Sequence, residues 1–161
     1  ESSVASTVVQ PSFFVTVLLR QLEMLRRDRI VFPTGDGRIA WIDPRDIAEV
    51  AATVLTDDDP PAGPLRLTGP EALTAAELAD RISEAVERKI ELVQPDLKKW
   101  AEGLSATGMD PWLADSTRHL YEAVTNGALA DVSDDVGRVL HKAPRPIDDW
   151  LRTGLLPLLR E

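Results

Sequence analysis

The sequence predicts an α/β fold in which short strands alternate with helices before the chain becomes mostly helical. Three observations predict it. A β-branched apolar run from Val4 to Val9 stops at Pro11, which is typical of a buried strand. Asp43-Pro44 combines a capping carboxylate with a proline suited to a first helical turn. Thr74 and Glu77 have the spacing of a capping box, so a second helix is expected there.

The first elements form a strand that leads into a helix. The strand is predicted from Val4 to Val9, and apolar residues then recur at helical spacing from Phe14 to Leu25. The charged run Arg26 to Arg29 ends this helix. A strand followed by a helix is the unit from which α/β sheets are built.

The next segment contains a glycine-rich turn with two interpretations. Residues 30–32 and 38–42 flank Pro33 to Gly37, and the Asp-Gly pair within it favours a short β-hairpin or paired connection. Gly35 to Ala40 also fits the G-x-G-x-x-A dinucleotide fingerprint. That fingerprint requires its glycines to open a helix. The sequence predicts strand at this point and a helix only from Pro44, so the hairpin is preferred.

The remaining elements follow from local signals. Polar, proline-bearing residues 57–64 predict a loop, and Leu73 and Leu78 add a hydrophobic staple to the capping box. Strands are predicted over 65–68 and 89–93, and helices over 44–55, 74–86, 96–104, 110–124, 133–140 and 147–159. The order indicates the closing strands of a doubly wound, Rossmann-like sheet over residues 1–70 and a helical part over 71–161, within one continuous globular unit.

Composition limits the partners. The net charge of -9 would repel a phosphate backbone, so no nucleic-acid partner is expected. The absence of cysteine rules out disulfides and thiolate metal sites, and a cytoplasmic location is expected. No apolar run approaches the roughly 20 residues of a membrane-spanning helix, and no export signal is recognised, so no membrane partner is expected. Because the chain passes from Glu1 almost directly into a strand, we expect a fragment of a longer protein.

Titratable residues do not form a recognisable catalytic set. Tyr121 has Thr125 four residues later, so the tyrosine-lysine pair of short-chain reductases does not occur, and a half-buried helix position is the simpler interpretation. His119 and Glu122 share a helix face, as metal ligands or as a base and its orienting partner, but a surface pair is preferred. His141 has no nucleophile elbow near it. No metal site is expected and no catalytic residue is assigned.

Aromatic residues supply the candidate binding groups. Trp41, Trp100, Trp112 and Trp150 fit an apolar pocket or, more commonly, a core. Phe13 and Phe14 follow the strand-ending Gln10-Pro11, where open α/β sheets place their ligands. Core packing is an equal alternative for these two rings.

Three stretches resemble the NmrA-like branch of the atypical short-chain dehydrogenase/reductase superfamily, in its carboxy-terminal half. They are Thr7 to Phe14, Arg38 to Ala48, and Leu67-Thr68-Gly69-Pro70-Glu71-Ala72-Leu73-Thr74. The third is the most specific, and Asp134-Asp135-Val136 and Pro144-Arg145 match weaker features. Gln10 stands where the family commonly has arginine, so this position departs from the family pattern and lacks its positive charge.

The resemblance implies an oxidoreductase that uses NADP or NAD, with its glycine-rich loop in an amino-terminal half absent from this chain. It implies that Pro11, Ser12 and Phe13 border the nicotinamide, and that 71–161 is a substrate-binding lobe. Phe14, Trp41, Met109 and Trp112 are the implied substrate-binding residues, and Asp43 and Asp46 are interpreted as helix caps. The expected substrate is a quinone- or carbonyl-like small molecule.

Two alternatives remain open at this point. Members of the family also serve as redox sensors that bind dinucleotide without turnover, and a reduced protein could keep only the substrate-side lobe as a binding module. The expected partners are a small-molecule substrate and either the missing amino-terminal half or a second copy of the chain, because a truncated sheet exposes an edge. This chain alone is expected to be inactive and to bind the cofactor weakly or not at all.

Overall fold

A computed structural model describes residues 6–160 and confirms the α/β fold. Val4 and Ala5 of the first predicted strand lie outside the described residues. The strands are β1 (Thr7–Pro11), β2 (Arg29–Val31), β3 (Arg38–Ile39), β4 (Gly63–Leu67), β5 (Leu73–Thr74) and β6 (Glu91–Val93). The α-helices are α1 (Leu22–Leu25), α2 (Pro44–Thr56), α3 (Ala75–Val86), α4 (Leu97–Ala106), α5 (Pro111–Thr125), α6 (Asp135–Leu140), α7 (Ile147–Trp150) and α8 (Leu156–Leu159).

The strands pair over long sequence distances. β1 lies parallel to β4, with Thr7 opposite Gly63 and Pro11 opposite Leu67. β2 lies parallel to β6, and β3 pairs antiparallel with β5. Parallel pairs need long crossover connections, and helices provide them here. Among residues 6–160, no helix has the length and apolar character needed to cross a bilayer.

The hairpin predicted around Asp36-Gly37 is wrong. β2 and β3 do not pair with each other, and the positive φ of +53° is at Gly35. Gly37 serves a different purpose, because a Cβ on it would lie 2.5 Å from the carbonyl oxygen of Val124 at the end of α5. The glycine therefore lets a helix pass close to the turn. The rejection of the dinucleotide fingerprint is confirmed, since the next helix begins only at Pro44.

Two predicted helices differ in their winding. The first one begins as a 3₁₀-helix over Val15–Gln21 and is α-helical only at Leu22–Leu25. The last one contains a π-helical segment at Leu151–Leu155, between α7 and α8. Gly154 lies in that segment, and a Cβ there would come within 2.8 Å of the Trp150 ring.

The predicted caps are confirmed by hydrogen bonds. The Asp43 carboxylate accepts from the backbone N–H of Arg45 at 2.8 Å. Thr74 and Glu77 form the reciprocal capping box, with the Thr74 N–H donating to Glu77 at 2.8 Å. Asp46 needs correction, since it is fully buried and its carboxylate accepts from the backbone of Arg145. It is a tertiary anchor rather than a cap.

The core has two parts. The smaller one lies between α2, α6 and β4 and contains Ile42, Val50, Leu65, Leu67, Val136 and Val139. The larger one includes Phe32, Trp41, Leu78 and Tyr121 and extends to the carboxy-terminal helices. The segment that follows β1 lies at the junction of the two, because Val15 belongs to the larger core while Phe14 is bridged to Ile42.

Candidate functional site

The carboxyl end of β1 is where three extended segments meet. The Ser12 N–H donates to the Leu67 carbonyl at 2.8 Å, and the Ile42 N–H donates to the Phe13 carbonyl at 3.0 Å. The Gly69 N–H donates to the Trp41 carbonyl at 2.7 Å. Ligands of open α/β sheets bind outside such strand ends. The backbone therefore fixes the residues that follow β1 at the edge where a ligand would lie.

Gly69 permits this close arrangement. A Cβ on this residue would lie 2.2 Å from the Trp41 carbonyl oxygen, well inside van der Waals contact. Any side chain at position 69 would separate the two segments.

A first cavity, which we call the strand-end cavity, opens at the carboxyl ends of β1 and β4. Its volume is about 190 Å³. The lining residues are Gln10, Pro11, Ser12, Arg66, Thr68, Ala128, Leu129 and Asp131.

The polar groups of the strand-end cavity differ in how they are used. The Thr68 hydroxyl accepts from the Ser133 N–H at 2.9 Å and is committed to the fold. Arg66 lies opposite Gln10 in the strand register, and its guanidinium is 3.7 Å from the Asp131 carboxylate. Position 10 itself is uncharged, so the cation of this cavity comes from the neighbouring strand.

A second cavity, which we call the apolar cavity, lies between the first helical segment and the α4–α5 pair. Its volume is about 430 Å³. The lining residues are Val17, Arg20, Gln21 and Met24 from the first helical segment, Val31 from β2, Trp100 and Leu104 from α4, Met109 from the connection, and Leu113, Thr117 and Tyr121 from α5.

Tyr121 is the most buried aromatic group of the apolar cavity, with 6% of its surface exposed. Burial raises the pKa of its phenol to about 12, while the nearby positive charge of Arg20 acts in the opposite direction. The phenol is therefore protonated at neutral pH and available as a hydrogen-bond donor.

A chain of aromatic rings joins the apolar cavity to the segment after β1. The Trp100 and Tyr121 rings are edge to face with centroids 5.1 Å apart. The Phe13 centroid lies 6.2 Å from that of Tyr121 and 5.3 Å from that of Trp41. Ser12 lines the strand-end cavity, and the next residue, Phe13, places its ring against Tyr121 of the apolar cavity.

Relatives of the chain include an azoreductase and an uncharacterized oxidoreductase. It is 35% identical over 153 residues to an NAD(P)H azoreductase of Xenophilus azovorans, covering 94% of this chain and 54% of that protein. It is also 35% identical over 147 residues to the uncharacterized oxidoreductase YesF of Bacillus subtilis, covering 89% of this chain and 51% of that protein. The chain thus spans about half the length of the curated relatives it matches. No protein-family model matches it.

Solved structures show the same fold. An NADPH-dependent quinone oxidoreductase of Escherichia coli superposes with a TM-score of 0.83, at 20% identity, over 94% of this chain and 55% of that one. The chain belongs to the NmrA-like family. Its three resembling stretches are those that meet at the carboxyl end of β1.

The NmrA-like resemblance placed seven residues at the site, and the structure brings only some of them to the cavities. Pro11 and Ser12 line the strand-end cavity, and Met109 lines the apolar cavity. Phe13 lies between them through its contact with Tyr121. The other three line neither cavity: Trp41 is buried, Phe14 is 44% exposed and Trp112 is 76% exposed.

His119 and Glu122 do not form a pair with each other. Arg118 lies between them, 3.0 Å from the Glu122 carboxylate and within 2.7 Å of the His119 ring. His119 also approaches Asp115 at 3.4 Å. Both are surface residues of α5, as the preferred interpretation expected, but the pair that it expected between them does not form.

Several lining residues were missed by sequence reasoning in this NmrA-like chain. Arg20 and Tyr121 supply polar and aromatic groups to the apolar cavity, and Met24 supplies apolar surface. Trp100, one of the four tryptophans that the sequence offered for a pocket, does line it. The spacing of the lining residues held a partial signal, since residues 17, 20, 21 and 24 share one helix face, as do 113, 117 and 121. What the spacing does not contain is that these two faces oppose each other with a space between them.

Proposed function

We propose that the protein carrying this chain is an NAD(P)-binding oxidoreductase that reduces a quinone- or carbonyl-like acceptor by hydride transfer, and that this chain holds the acceptor. The names of the relatives support this proposal, since they include an NAD(P)H azoreductase and an NADPH-dependent quinone oxidoreductase. The fold supports it as well, because the family is one of dinucleotide-linked proteins.

The contact between Phe13 and Tyr121 is the observation that carries the proposal. It joins a polar cavity at strand ends to an apolar cavity lined by aromatic rings. Hydride transfer needs a cofactor ring and an acceptor side by side, held in orientation and shielded from water. Two cavities of different character, linked through Phe13 and Tyr121, fit that need.

The strand-end cavity fits one end of a dinucleotide. Its volume of about 190 Å³ is below the roughly 300 Å³ at which pockets for whole small molecules begin. We assign Pro11, Ser12 and Phe13 to the nicotinamide end, with the rest of the cofactor held outside this chain. The bound cofactor would supply the hydride.

The apolar cavity is assigned to the acceptor. Trp100, Tyr121 and Met109 would contact a flat ring directly, and the enclosing apolar side chains would exclude water. Trp41 packs beneath Phe13 and Phe32, so we propose it as a positioning residue. Phe14 and Trp112 are not needed for this arrangement.

The test is NADPH consumption by the full-length protein with 2-methyl-1,4-naphthoquinone as acceptor, followed at 340 nm. The proposal expects acceptor-dependent oxidation. Trp100→Leu should lower kcat/KM at least tenfold, because it removes a ring from the cavity wall, an effect of roughly 1.4 kcal/mol or more. Trp112→Leu is the matched control, since that ring is exposed, and its kcat/KM should stay within twofold.

Three results would count against the proposal. Tight NADPH binding without consumption, whichever quinone or carbonyl acceptor is offered, would favour a redox sensor. No NADPH binding by the full-length protein would favour a binding module. Equal losses of kcat/KM in Trp100→Leu and Trp112→Leu would show that the acceptor does not bind in the apolar cavity.

A further inference from the structure

The apolar cavity has one charged residue in its lining, Arg20. Within residues 6–160 its guanidinium forms no ion pair with a carboxylate and no side-chain hydrogen bond. Sixteen ion pairs engage other arginines, Lys142 and His119 of the same residues, so the absence of one distinguishes Arg20 from most of these arginines. An unpaired guanidinium at the edge of an apolar space is suited to receiving an anion.

The other polar side chains of the cavity are mostly committed elsewhere. The Gln21 amide accepts from the Val31 N–H at 2.7 Å and donates to the Val31 carbonyl at 3.0 Å. The Thr117 hydroxyl donates to the Leu113 carbonyl at 2.7 Å. The groups that remain for a ligand are the Arg20 guanidinium and the Tyr121 hydroxyl. Both donate hydrogen bonds, so together they favour an acceptor group on the ligand.

The charge of the cavity has a single sign. No aspartate or glutamate belongs to its lining, although the chain as a whole carries a net charge of -9. The positive charge of Arg20 would repel a cationic ligand, and a neutral ligand would leave the guanidinium without an ionic partner. Arg20 is exposed at the edge of the cavity, so an anionic group would meet the guanidinium there while the rest of the ligand lies against the apolar walls.

We infer that the acceptor is a flat aromatic molecule bearing a carboxylate or sulfonate, with its rings between Trp100, Met109 and Tyr121 and its anionic group on Arg20. The volume of about 430 Å³ is within the range of small-molecule pockets. The inference rests on the proposed function only in that the acceptor occupies this cavity. Arg20 is then a specificity-determining residue that pairs with the substituent and not with the reacting atoms.

The test compares two quinones of the same ring system by isothermal titration calorimetry, without cofactor. The probes are 1,4-naphthoquinone-2-sulfonate and 2-methyl-1,4-naphthoquinone, and the sample is the full-length protein. Arg20→Gln should weaken binding of the sulfonate roughly tenfold or more, as expected for a charge-assisted hydrogen-bonded pair. Binding of the methyl compound should change by less than twofold. Arg20→Lys should recover part of the sulfonate affinity.

Arg27→Gln is the matched control. Arg27 is exposed, lies seven residues further along the same segment and is outside the cavity lining, so its loss changes net charge alone. Retention of sulfonate affinity in Arg27→Gln and its loss in Arg20→Gln would support the inference.

Equal weakening of both quinones in Arg20→Gln, or equal effects of Arg20→Gln and Arg27→Gln on the sulfonate, would overturn it. These outcomes are independent of turnover. NADPH consumption with no charge preference in binding would leave the proposed function standing and remove this inference. Preferential binding of the sulfonate without NADPH consumption would support this inference and contradict the proposed function.

Discussion

Arg145 holds the carboxylate of Asp46 across 99 residues of sequence. The backbone N–H of Arg145 donates to Asp46 at 2.8 Å, and its guanidinium pairs with both Asp46 and Glu49. The Asp46 side chain is fully buried, and a buried carboxylate needs such hydrogen-bonded partners to offset the cost of its burial. The pair joins the segment after α6 to the first turn of α2.

Replacing Arg145 should therefore destabilise the protein. Arg145→Ala leaves a buried carboxylate without its counter-ion, which costs about 3 kcal/mol or more. The measurement is the urea midpoint of unfolding. Arg152→Ala is the control, since that residue forms an exposed pair with Asp149 and should cost less than about 1 kcal/mol. Equal midpoint shifts in the two variants would show that burial of Asp46 does not matter.

Gly69 should not tolerate a side chain. Gly69→Ala places a Cβ 2.2 Å from the Trp41 carbonyl oxygen, and the backbone must move to relieve the contact. We expect a loss of about 2 kcal/mol or more in the free energy of unfolding.

Gly103→Ala provides the opposite expectation for the same chemical change. No atom lies within 4 Å of a Cβ at Gly103, which is inside α4. Alanine there should stabilise the protein by about 0.5 to 1 kcal/mol. Thermal unfolding of both variants checks the pair, and a neutral or stabilising Gly69→Ala would contradict the close approach.

The Tyr121 phenol should lose its proton only at a pH well above the usual value for tyrosine. Burial raises the pKa of its phenol from the ordinary 10.0 to about 12. Because the folded-state pKa is above the unfolded one, the stabilising contribution is complete below pH 10 and is lost as the pH rises through 12. The check is the phenolate absorbance at 295 nm, taken as the difference between the protein and its Tyr121→Phe variant. A midpoint near 10 in the folded protein would contradict the burial of this group.

The capping box of α3 should contribute measurable stability. Thr74→Ala removes the side chain that accepts from the Glu77 N–H at 3.1 Å, which should cost about 1 kcal/mol. Chemical denaturation of this variant against Thr74→Ser, which keeps the hydroxyl, measures it. An alanine variant as stable as the serine variant would rule out the cap.

Glu77 of the same capping box should make the stability of the protein fall at acid pH. The Thr74 N–H, and next the Arg38 guanidinium, hold the pKa of Glu77 below its usual 4.5. The folded pKa is lowered, so this stabilisation is present above pH 4.5 and is lost as the pH falls through the folded value. The difference in urea midpoint between the protein and Glu77→Gln should be largest near neutral pH and should fall towards zero at acid pH. A difference in midpoint that does not vary with pH would contradict the lowered pKa of Glu77.

The sequence by itself determined where the capped helices α2 and α3 begin. Asp43, Thr74 and Glu77 act on backbone groups within one turn, so the residues that form each cap are neighbours in the chain. The stretches Thr7 to Phe14 and Leu67 to Thr74 likewise identified the family, because they carry a pattern that is read locally.

Only the tertiary structure decided which distant segments meet. Gly37 looked like part of a hairpin turn, yet its neighbours pair elsewhere, because α5 passes close to it. Asp46 was predicted to be a cap, but its carboxylate binds Arg145, which is 99 residues further along the chain. The apolar cavity depends on two helix faces that meet through packing of the whole core, and residue spacing within either helix does not specify the other. Local hydrogen bonds fix elements, whereas the site depends on long-range packing and on where buried charges find their partners.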